Sequence, residues 1–417
     1  MIVRWQRGAP VYGMKLVTRH FLLMAGLSAL GWALIIYREL TGLGMTTGMS
    51  DRYAWGIWKT FNTMVLTALG SGSFAVGIAA WFFRKREFHA VMRTAILVSF
   101  LVYLTGVIAI IIDVGRPWNV YNMLLPWRWN QESPLWEVSL CMTVYAFFPL
   151  FLENTPPILE RIYFLFPPLR EAVLWLVPIV RATYPAVVAL AYTLPLLHQS
   201  SLGALMLLAG NRLHPLWQTP LLPLLYVWSA AFIGVASLIA CLIFSSMLWK
   251  RPLDLTIIGK LGRMTSYLAL AWVACRFLDL VLRGRFPLMF SSRFSFLFWF
   301  EMLTISGAAW AFLRPEFRNK PYQIFLTSLT MMIGGMVYRY SPPGFAYSSK
   351  PLSWYTPSVI EMLISIGLIS TAVMLFLIAV KRYPILPAPV SEWTNLVNYY
   401  KFLYPWIVME QHAKTSH

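Results

Sequence analysis

Four polar side chains follow one another inside an apolar segment, in the stretch PLLHQSSLGALMLLAG at 195–210. His198 is the one that exchanges a proton near neutral pH, and Ser201 follows about one helical turn later. An ionisable group in such a segment is costly unless it is paired or functional. We therefore interpret His198 as a proton carrier or ligand, with an ordinary hydrogen bond between helices as the alternative.

Other ionisable residues lie within or at the ends of apolar segments. If both termini are cytoplasmic, these residues lie at about the same depth in the membrane as His198, in its outer half. We predict a polar layer that is buried among helices, because charged groups in lipid would be too costly. Its members besides His198 are Lys59, Asp113, Arg276, Asp279, Glu301 and Glu361.

A purely structural role is the alternative for several of these residues. Arg276 and Asp279 have the i, i+3 spacing of a helical ion pair. Asp113 has Arg116 nearby in sequence for a weak interfacial pair. Glu361, like Glu137, is close enough to the end of its segment for solvation to explain it.

The composition predicts a membrane protein. Hydrophobic residues make up 59% of the 417 residues, charged residues 12%, and the mean hydropathy is +0.63, whereas soluble proteins are about 25% charged. The net charge of +18 is spread over short clusters such as 84–93 and 250–263. Clusters between apolar runs indicate topology and contacts with anionic lipid rather than with nucleic acid.

The hydropathy pattern predicts an all-α polytopic protein with about ten transmembrane helices. Lys and Arg are twice as frequent on the side of the two termini as on the other, which predicts cytoplasmic termini. The predicted spans are 20–38, 55–83, 94–113, 136–152, 183–208, 221–248, 265–282, 294–313, 322–338 and 357–380.

Two four-helix bundles with flanking helices are the predicted domain organisation. Tyr103, Asp113 and Glu137 of spans three and four have counterparts in Tyr267, Asp279 and Glu301, which suggests a parallel repeat or a chance likeness. The predicted units are 1–54 (N-terminus, first span and first outer loop), 55–208 (first bundle, with an amphipathic connection at 153–182), 209–338 (second bundle), 339–380 (outer loop and last span) and 381–417 (cytoplasmic tail).

Cysteine and histidine usage limits the redox groups that this chain can bind. Its three cysteines are far apart in sequence and form no CxxC, which argues against an iron–sulfur cluster or a zinc site. Of the six histidines, only His198 is well inside a span, so we predict no haem pair. Redox chemistry would then need a diffusible carrier.

A glycine-rich stretch, ALGSGSFAVG at 68–77, lies in span two. No strand precedes it, so it is not a nucleotide-binding loop. Gly70, Gly72 and Gly77 serve close helix packing or leave room for a flat ligand against the backbone.

Five motifs are spread over the spans: GSGSFAVG, DVGRPW, LHQSSLGAL, CRFLDL and PSVIEMLISIG. Together they resemble the NrfD/PsrC-like family of quinone-interacting membrane subunits, including those of menaquinone reductase complexes and hydrogenase-2-type complexes. The resemblance extends from span two to span ten and implies a bacterial inner membrane.

The resemblance implies a menaquinone pocket, or one for another quinone, near the periplasmic face. It also implies a periplasmic iron–sulfur partner, with a multihaem cytochrome c or a molybdopterin-like subunit, and no metal or haem in this chain. His198 and Asp113 would handle protons. The predicted quinone-binding residues are Trp58, Gly72, Phe74, Asp113, Arg116, His198 and Ser201. The predicted proton-transfer residues are Ser99, Tyr103, Tyr192, Arg276, Asp279 and Glu301, with Ser237 and Ser245 as further hydroxyls on the cytoplasmic side. For the hydroxyls, ordinary hydrogen bonds between helices are the alternative.

Two other classes of function remain as alternatives. A secondary transporter would bind its substrate to the same acids and arginines at the interface of the repeats. A membrane anchor for a periplasmic complex would tolerate replacement of every residue in the polar layer.

Overall fold

The computed structural model describes residues 15–50, 53, 55–249, 253–348, 355–383 and 385–386. This part of the chain is 82% helical, and its only β-type contacts are isolated bridges between Ser50 and Tyr53 and between Leu213 and Tyr347. The prediction of an all-α protein is confirmed. Residues 1–14 and the predicted tail from 387 onward lie outside the described residues.

Ten long helical segments, α1 to α10, follow the order of the predicted spans. The second and fourth contain π-helical turns, Trp58–Val65 and Ala146–Leu150, that continue into α-helix. Such turns often occur at functional sites. The segments are α1 Arg19–Thr41, α2 Trp58–Trp81, α3 His89–Asp113, α4 Leu135–Glu153, α5 Arg170–Leu207, α6 Leu222–Trp249, α7 Leu255–Leu282, α8 Ser295–Leu313, α9 Pro321–Tyr340 and α10 Val359–Arg382.

Short helices occupy many of the connections. The 153–182 connection, which we predicted to be amphipathic, contains one of 11 residues before α5 begins. The short helices are Leu43–Thr46, Arg86–Phe88, Pro117–Leu124, Pro126–Arg128, Thr155–Leu165, Pro167–Leu169, Gly210–Arg212, Leu288–Ser291, Pro315–Arg318 and Ser341–Phe345.

Among the described residues, eight helices are long and apolar enough to cross a membrane. The segments Pro167–Val180 and Ala182–Leu207 meet at a bend of 58° and give a ninth if they form one span. Helix α9 has 20 residues and packs against α6 and α8. The eight or nine long apolar helices confirm the prediction of an integral membrane protein.

Helix α6 lies at the centre of the packing. It contacts α5 and α2 on one side and α7 and α9 on the other. Helices α2 to α5 pack as one group and α6 to α9 as another, while α1 and α10 pair with each other beside α3. The two groups therefore meet along α6.

Two glycines lie face to face where the two groups meet. A Cβ on Gly72 of α2 would lie 2.6 Å from the carbonyl oxygen of Gly234 on α6. Side chains at this point would hold the helices apart, because small residues let helix backbones approach in membranes. Gly72 is therefore needed for packing, whatever else binds nearby.

We expect Gly72→Ala to destabilise the protein by about 1–3 kcal/mol, because the new methyl group meets backbone that cannot rotate away. The measurement is the thermal unfolding midpoint of the purified protein in detergent. Gly307→Ala on α8 is the matched control, since nothing lies within 4 Å of its Cβ position. Equal midpoints for the two variants would contradict the packing role.

Candidate functional site

His198 is fully buried where α5 meets α4 and α2. Its Nδ1 lies 3.0 Å from the carbonyl oxygen of Val138, and its Nε2 lies 3.4 Å from Oγ1 of Thr67. A carbonyl only accepts hydrogen bonds, so in the neutral ring the proton is on Nδ1. Nε2 then keeps a lone pair that can take a proton, as the prediction of a proton carrier requires.

Gln199, the next residue, connects three hydroxyl groups with an arginine. Its Nε2 lies 3.3 Å from Oγ1 of Thr67, 3.3 Å from Oγ of Ser71 and 3.1 Å from the hydroxyl of Tyr103. Its Oε1 accepts a hydrogen bond of 2.7 Å from Nη2 of Arg339. Gln199 was not among the predicted site residues, because an amide is uncharged and does not exchange protons near neutral pH.

Arg339 brings a positive charge from α9 into this network. It is fully buried, and its Nη2 also donates to the carbonyl of Tyr226 at 2.5 Å. Its guanidinium lies 4.4 Å from the centre of the Tyr226 ring. Nε and Nη1 have no hydrogen-bond partner among the described residues. The predicted span ended at residue 338, which placed Arg339 in the outer loop, whereas α9 continues to Tyr340.

A second set of hydroxyls lies next to this network. Oγ of Ser99 lies 2.7 Å from Oγ of Ser73, and Ser99 donates to the carbonyl of Gly70. Ser73 lies 3.0 Å from the hydroxyl of Tyr145, whose ring stands edge-on to Tyr103 with centroids 4.7 Å apart. Ser99 and Tyr103, which are two of the predicted proton-transfer residues, thus lie in adjacent hydrogen-bonded networks.

Asp113, at the end of α3, is paired with Lys59 of α2. Nζ of Lys59 lies 2.7 Å from Oδ2 of Asp113, whereas Arg116 is exposed. The suggested pair of Asp113 with Arg116 is therefore not formed. Arg38 of α1 extends toward the same corner and donates to the carbonyl of Val114 at 2.8 Å.

Asp279 is held mainly by Arg283, which sequence analysis did not single out. The two guanidinium nitrogens of Arg283 lie 2.9 and 2.6 Å from its carboxylate, and Thr219 donates to it at 2.8 Å. Arg276 is more distant, with Nη1 at 3.8 Å, and its Nη2 donates to the carbonyl of Leu216. The suggested pairing of Arg276 with Asp279 exists but is the weaker one.

Glu301 is fully buried in the second group of helices. It accepts hydrogen bonds from Nε1 of Trp217, at 3.2 Å, and from Oγ of Ser341. The connection 213–220 thus contacts all three of these buried residues, Asp279, Arg276 and Glu301.

Glu361 has a structural role that sequence analysis did not foresee. It closes a capping box at the start of α10 with Ser358, whose amide it accepts at 2.8 Å. It also accepts from the amide of Gly48 and the hydroxyl of Tyr355. The side chain is fully buried, so the interpretation that solvation explains it is wrong. Glu137 is half-buried.

The predicted quinone contacts Trp58 and Phe74 lie far apart. They are 16 positions apart on α2, which is roughly 24 Å along the axis of an α-helix. A single quinone ring cannot contact both side chains, so Trp58 and Phe74 do not line the same binding slot. Two other predicted residues have local contacts: Ser201 donates to the carbonyl of Leu197 at 2.8 Å, and Tyr192 packs against Gly77.

Two of the three matches proposed for the repeat differ in their surroundings, whereas Asp113 and Asp279 are both buried and both paired with a cation. Tyr103 is fully buried, whereas Tyr267 is 64% exposed. Glu301 is fully buried, whereas Glu137 is not. The sequence likeness of the two tyrosines and of the two glutamates therefore does not reflect a common environment.

Asn62 is a further buried polar residue that sequence analysis did not identify. It lies in the π-helical turn of α2 and is fully buried. Neither atom of its side-chain amide has a hydrogen-bond partner among the described residues. Because buried polar groups nearly always have partners, Asn62 offers both a donor and an acceptor to a ligand or water.

His214 makes the connection 209–220 sensitive to pH. Burial, and then Arg293 and Arg285, lower the pKa of this histidine, so the folded state favours the neutral ring. Its Nδ1 accepts from the amide of Leu216 at 3.3 Å, and its Nε2 lies 3.1 Å from Oγ of Ser292. Protonation removes the acceptor on Nδ1.

Since the folded pKa is lowered, His214 contributes stability above its unfolded pKa of about 6.5, and this stability is lost as the pH falls through the folded pKa. We expect residues 209–220 to exchange amide hydrogens faster at pH 5.5 than at pH 7.5, after correction for intrinsic exchange rates. His214→Gln should remove most of this difference. An equal pH effect in the variant would contradict the assignment.

Comparisons with known proteins agree on one family. The family model described as polysulphide reductase, NrfD, matches residues 45–341. A probable Ni/Fe-hydrogenase 2 b-type cytochrome subunit of Escherichia coli K12 is 29% identical over 90% of this chain and 94% of its own length. The integral membrane subunit of menaquinone reductase from Nitratidesulfovibrio vulgaris is 26% identical over 86% and 89%. An Hdr-like menaquinol oxidoreductase integral membrane subunit of Archaeoglobus fulgidus is 22% identical over 89% and 94%.

The words "b-type cytochrome" in the name of one relative raise the question of a haem. His198 is the buried histidine within a span among the described residues, and both of its ring nitrogens face protein oxygens. His20, at the start of α1, is exposed. The histidines in the described part of the chain therefore do not fit a haem with two axial ligands.

Proposed function

The chain belongs to the NrfD family, and from this premise we propose that it is the quinone-binding membrane subunit of a respiratory oxidoreductase complex. It exchanges electrons between menaquinone and a periplasmic iron–sulfur partner. The observation that carries the proposal is the buried network around His198 and Gln199. Its cost in the membrane is difficult to explain for a mere anchor.

The residues at the outer end of α2 and α3 suit a quinone, which is a flat apolar ring with two carbonyl oxygens. The amide of Asn62 is a buried donor without a partner among the described residues, and Nε2 of His198 can exchange a proton. Trp58, fully buried, offers an apolar wall in the same π-helical turn. The site we propose therefore lies between Lys59 and His198, and Phe74 is not part of it.

The chain's own groups supply proton transfer and orientation. Nε2 of His198 takes a proton and passes it on, while the carbonyl of Val138 fixes the tautomer. Gln199 and Tyr103 connect His198 with the hydroxyls beyond it. The bound quinone supplies the two-electron chemistry, and Lys59 holds the carboxylate of Asp113 at the outer end, where it can release protons toward the surface.

We expect Asp113→Asn to lower quinone turnover by about 10²-fold, which is the lower end of the usual contribution of a proton-transfer group. Asparagine keeps the size and can still accept a hydrogen bond from Lys59, so the fold should persist. Steady-state turnover of the purified complex is the measurement, and Glu316→Gln on an exposed short helix is the control. Full activity of Asp113→Asn would exclude the proton role.

Proton uptake from the cytoplasm is the finer part of the proposal. Ser99, Ser73 and Tyr145 continue the polar path from Tyr103 toward the side on which 84–93 lies. By the charge bias of the connections this side is cytoplasmic, in a bacterial inner membrane. Each proton that moves from there to an outer site would work against about 2.3 kcal/mol per 100 mV.

The partner would bind on the opposite side. The connection between α3 and α4 exposes large aromatic side chains, with Trp118 at 69% and Trp127 at 78% exposure. Aromatic residues of this kind are enriched in interfaces between proteins. We propose this surface as the docking site of the iron–sulfur subunit, beside a multihaem cytochrome c or a molybdopterin-like subunit.

Purification in mild detergent tests the proposal as a whole. We expect a near-stoichiometric iron–sulfur protein by mass spectrometry and menaquinone in the lipid extract. The chain alone, without quinone, would contradict the proposal and favour the transporter alternative. A partner without quinone, with full tolerance of changes at His198, would favour the anchor.

A further inference from the structure

A groove of about 620 Å³ runs between α2, α6 and α7, away from the site described above. Its walls are apolar, and it extends from Phe74 on α2 past the end of that helix at Trp81 to Phe83. Ile78, Met264 and Leu268 line it as well. The groove opens toward lipid beside Phe83 and Tyr267, which are 70% and 64% exposed.

One end of the groove is positively charged. Lys85, Lys260 and Arg263 line it there, together with a single acid, Glu87. Nζ of Lys260 lies 3.0 Å from Oε1 of Glu87. A hydrogen bond to its own backbone amide, and then Lys260, lower the pKa of Glu87, so that carboxylate is ionised at neutral pH. Three cations thus face one anion.

The turn that forms this end has an unusual backbone. Arg84 has φ = 52°, in the left-handed region that residues other than glycine rarely adopt. The turn directs the chain back from α2, so that Lys85 and Glu87 lie at the end of the groove. A strained residue of this kind is maintained by its surroundings.

We propose that this groove binds an anionic phospholipid, with its phosphate at Lys85, Lys260 and Arg263 and one acyl chain along Phe74 and Ile78. Basic pockets between transmembrane helices bind acidic headgroups. A quinone has an apolar body of the same kind but no charge to neutralise the three cations. The lipid would fill the space between the two groups of helices at the end opposite the redox site.

Native mass spectrometry of the delipidated complex tests the proposal, with dioleoylphosphatidylglycerol and dioleoylphosphatidylcholine as the added lipids. We expect the wild-type complex to bind the first at least about tenfold more tightly. The triple variant Lys85→Gln, Lys260→Gln, Arg263→Gln should lose this preference. The matched control Arg19→Gln, Arg314→Gln, Lys320→Gln removes three exposed cations on the same side of the membrane and should keep it.

A second variant tests the apolar part. Ile78→Trp narrows the groove without changing charge and should weaken binding of the anionic lipid. If the triple variant does not fold, Ile78→Trp and the single change Lys260→Gln decide the question. Equal binding of the two lipids by the wild type, an unchanged preference in the triple variant, or displacement of the lipid by added menaquinone-4 would overturn the proposal. These outcomes do not depend on turnover, so they are separate from the test of the redox function.

Discussion

Replacement of His198 with alanine is expected to lower quinone turnover by at least about 10²-fold. The change removes the imidazole of the buried network, whose Nε2 has a lone pair that can accept a proton and release it again. It also leaves the carbonyl of Val138 without this partner. Steady-state turnover and the quinone content of the purified complex should be measured together, because the first reports proton transfer and the second reports binding.

The control for His198→Ala is His20→Ala, which removes an exposed histidine at the start of α1 and should leave turnover unchanged. His198→Gln offers a further comparison, since glutamine can still donate a hydrogen bond but does not titrate. Its turnover should stay low even where its quinone content is normal. Normal turnover in either His198 variant would refute the role assigned to the histidine.

Arg339→Met is expected to lower turnover by at least about tenfold and yet leave the thermal unfolding midpoint unchanged or higher. Arg339 is fully buried, and among the described residues no carboxylate forms a salt bridge with it. A buried charge of this kind costs stability, and replacement by an apolar residue of similar volume is often neutral or stabilising. The loss of function would come from Gln199, whose Oε1 then has no donor and whose amide can turn away from Tyr103.

If Arg339→Met lowers turnover but does not lower the unfolding midpoint, the charge serves function. If it lowers the unfolding midpoint as well, the charge serves stability. Arg339→Lys is the matched comparison, since it keeps the charge but not the planar fork; we expect intermediate turnover. A large drop in the unfolding midpoint of Arg339→Met, with turnover reduced only in proportion to folded protein, would contradict the proposal.

The sequence predicted the all-α membrane fold and the order of the long helices. This was possible because long apolar runs have few alternatives in a bilayer. It also predicted that Asp113, His198, Arg276, Asp279 and Glu301 are buried, which the structure confirms. In a membrane, a charged residue inside a span must be covered by other helices.

The contacts of those residues were less predictable, because they depend on neighbours that are distant in sequence. Asp113 pairs with Lys59 of another helix, 54 positions away, rather than with the nearby Arg116. Glu361 caps its own helix and also binds the amide of Gly48. Local spacing suggests a local partner, whereas helix packing selects a distant one.

Two errors had a more specific origin. Arg339 was missed because the predicted span ended one residue too early, and charged residues are usually what marks the end of a span. Gln199 was given no role and Asn62 was missed because the candidates were chosen as ionisable groups, which amides are not. A choice that included every polar side chain inside the apolar runs would have contained both.

The π-helical turn Trp58–Val65 also determines which insertions and deletions the chain can tolerate. A π turn holds about one extra residue compared with an α turn, and one residue corresponds to 100° of rotation about the axis of an α-helix. Removal of a single residue from this turn would allow ordinary α-helix to form without a break, but it would rotate Thr67 and Ser71 away from Gln199 or else displace Lys59 from Asp113. The length of this segment is therefore a constraint in its own right, distinct from the identity of any residue in it.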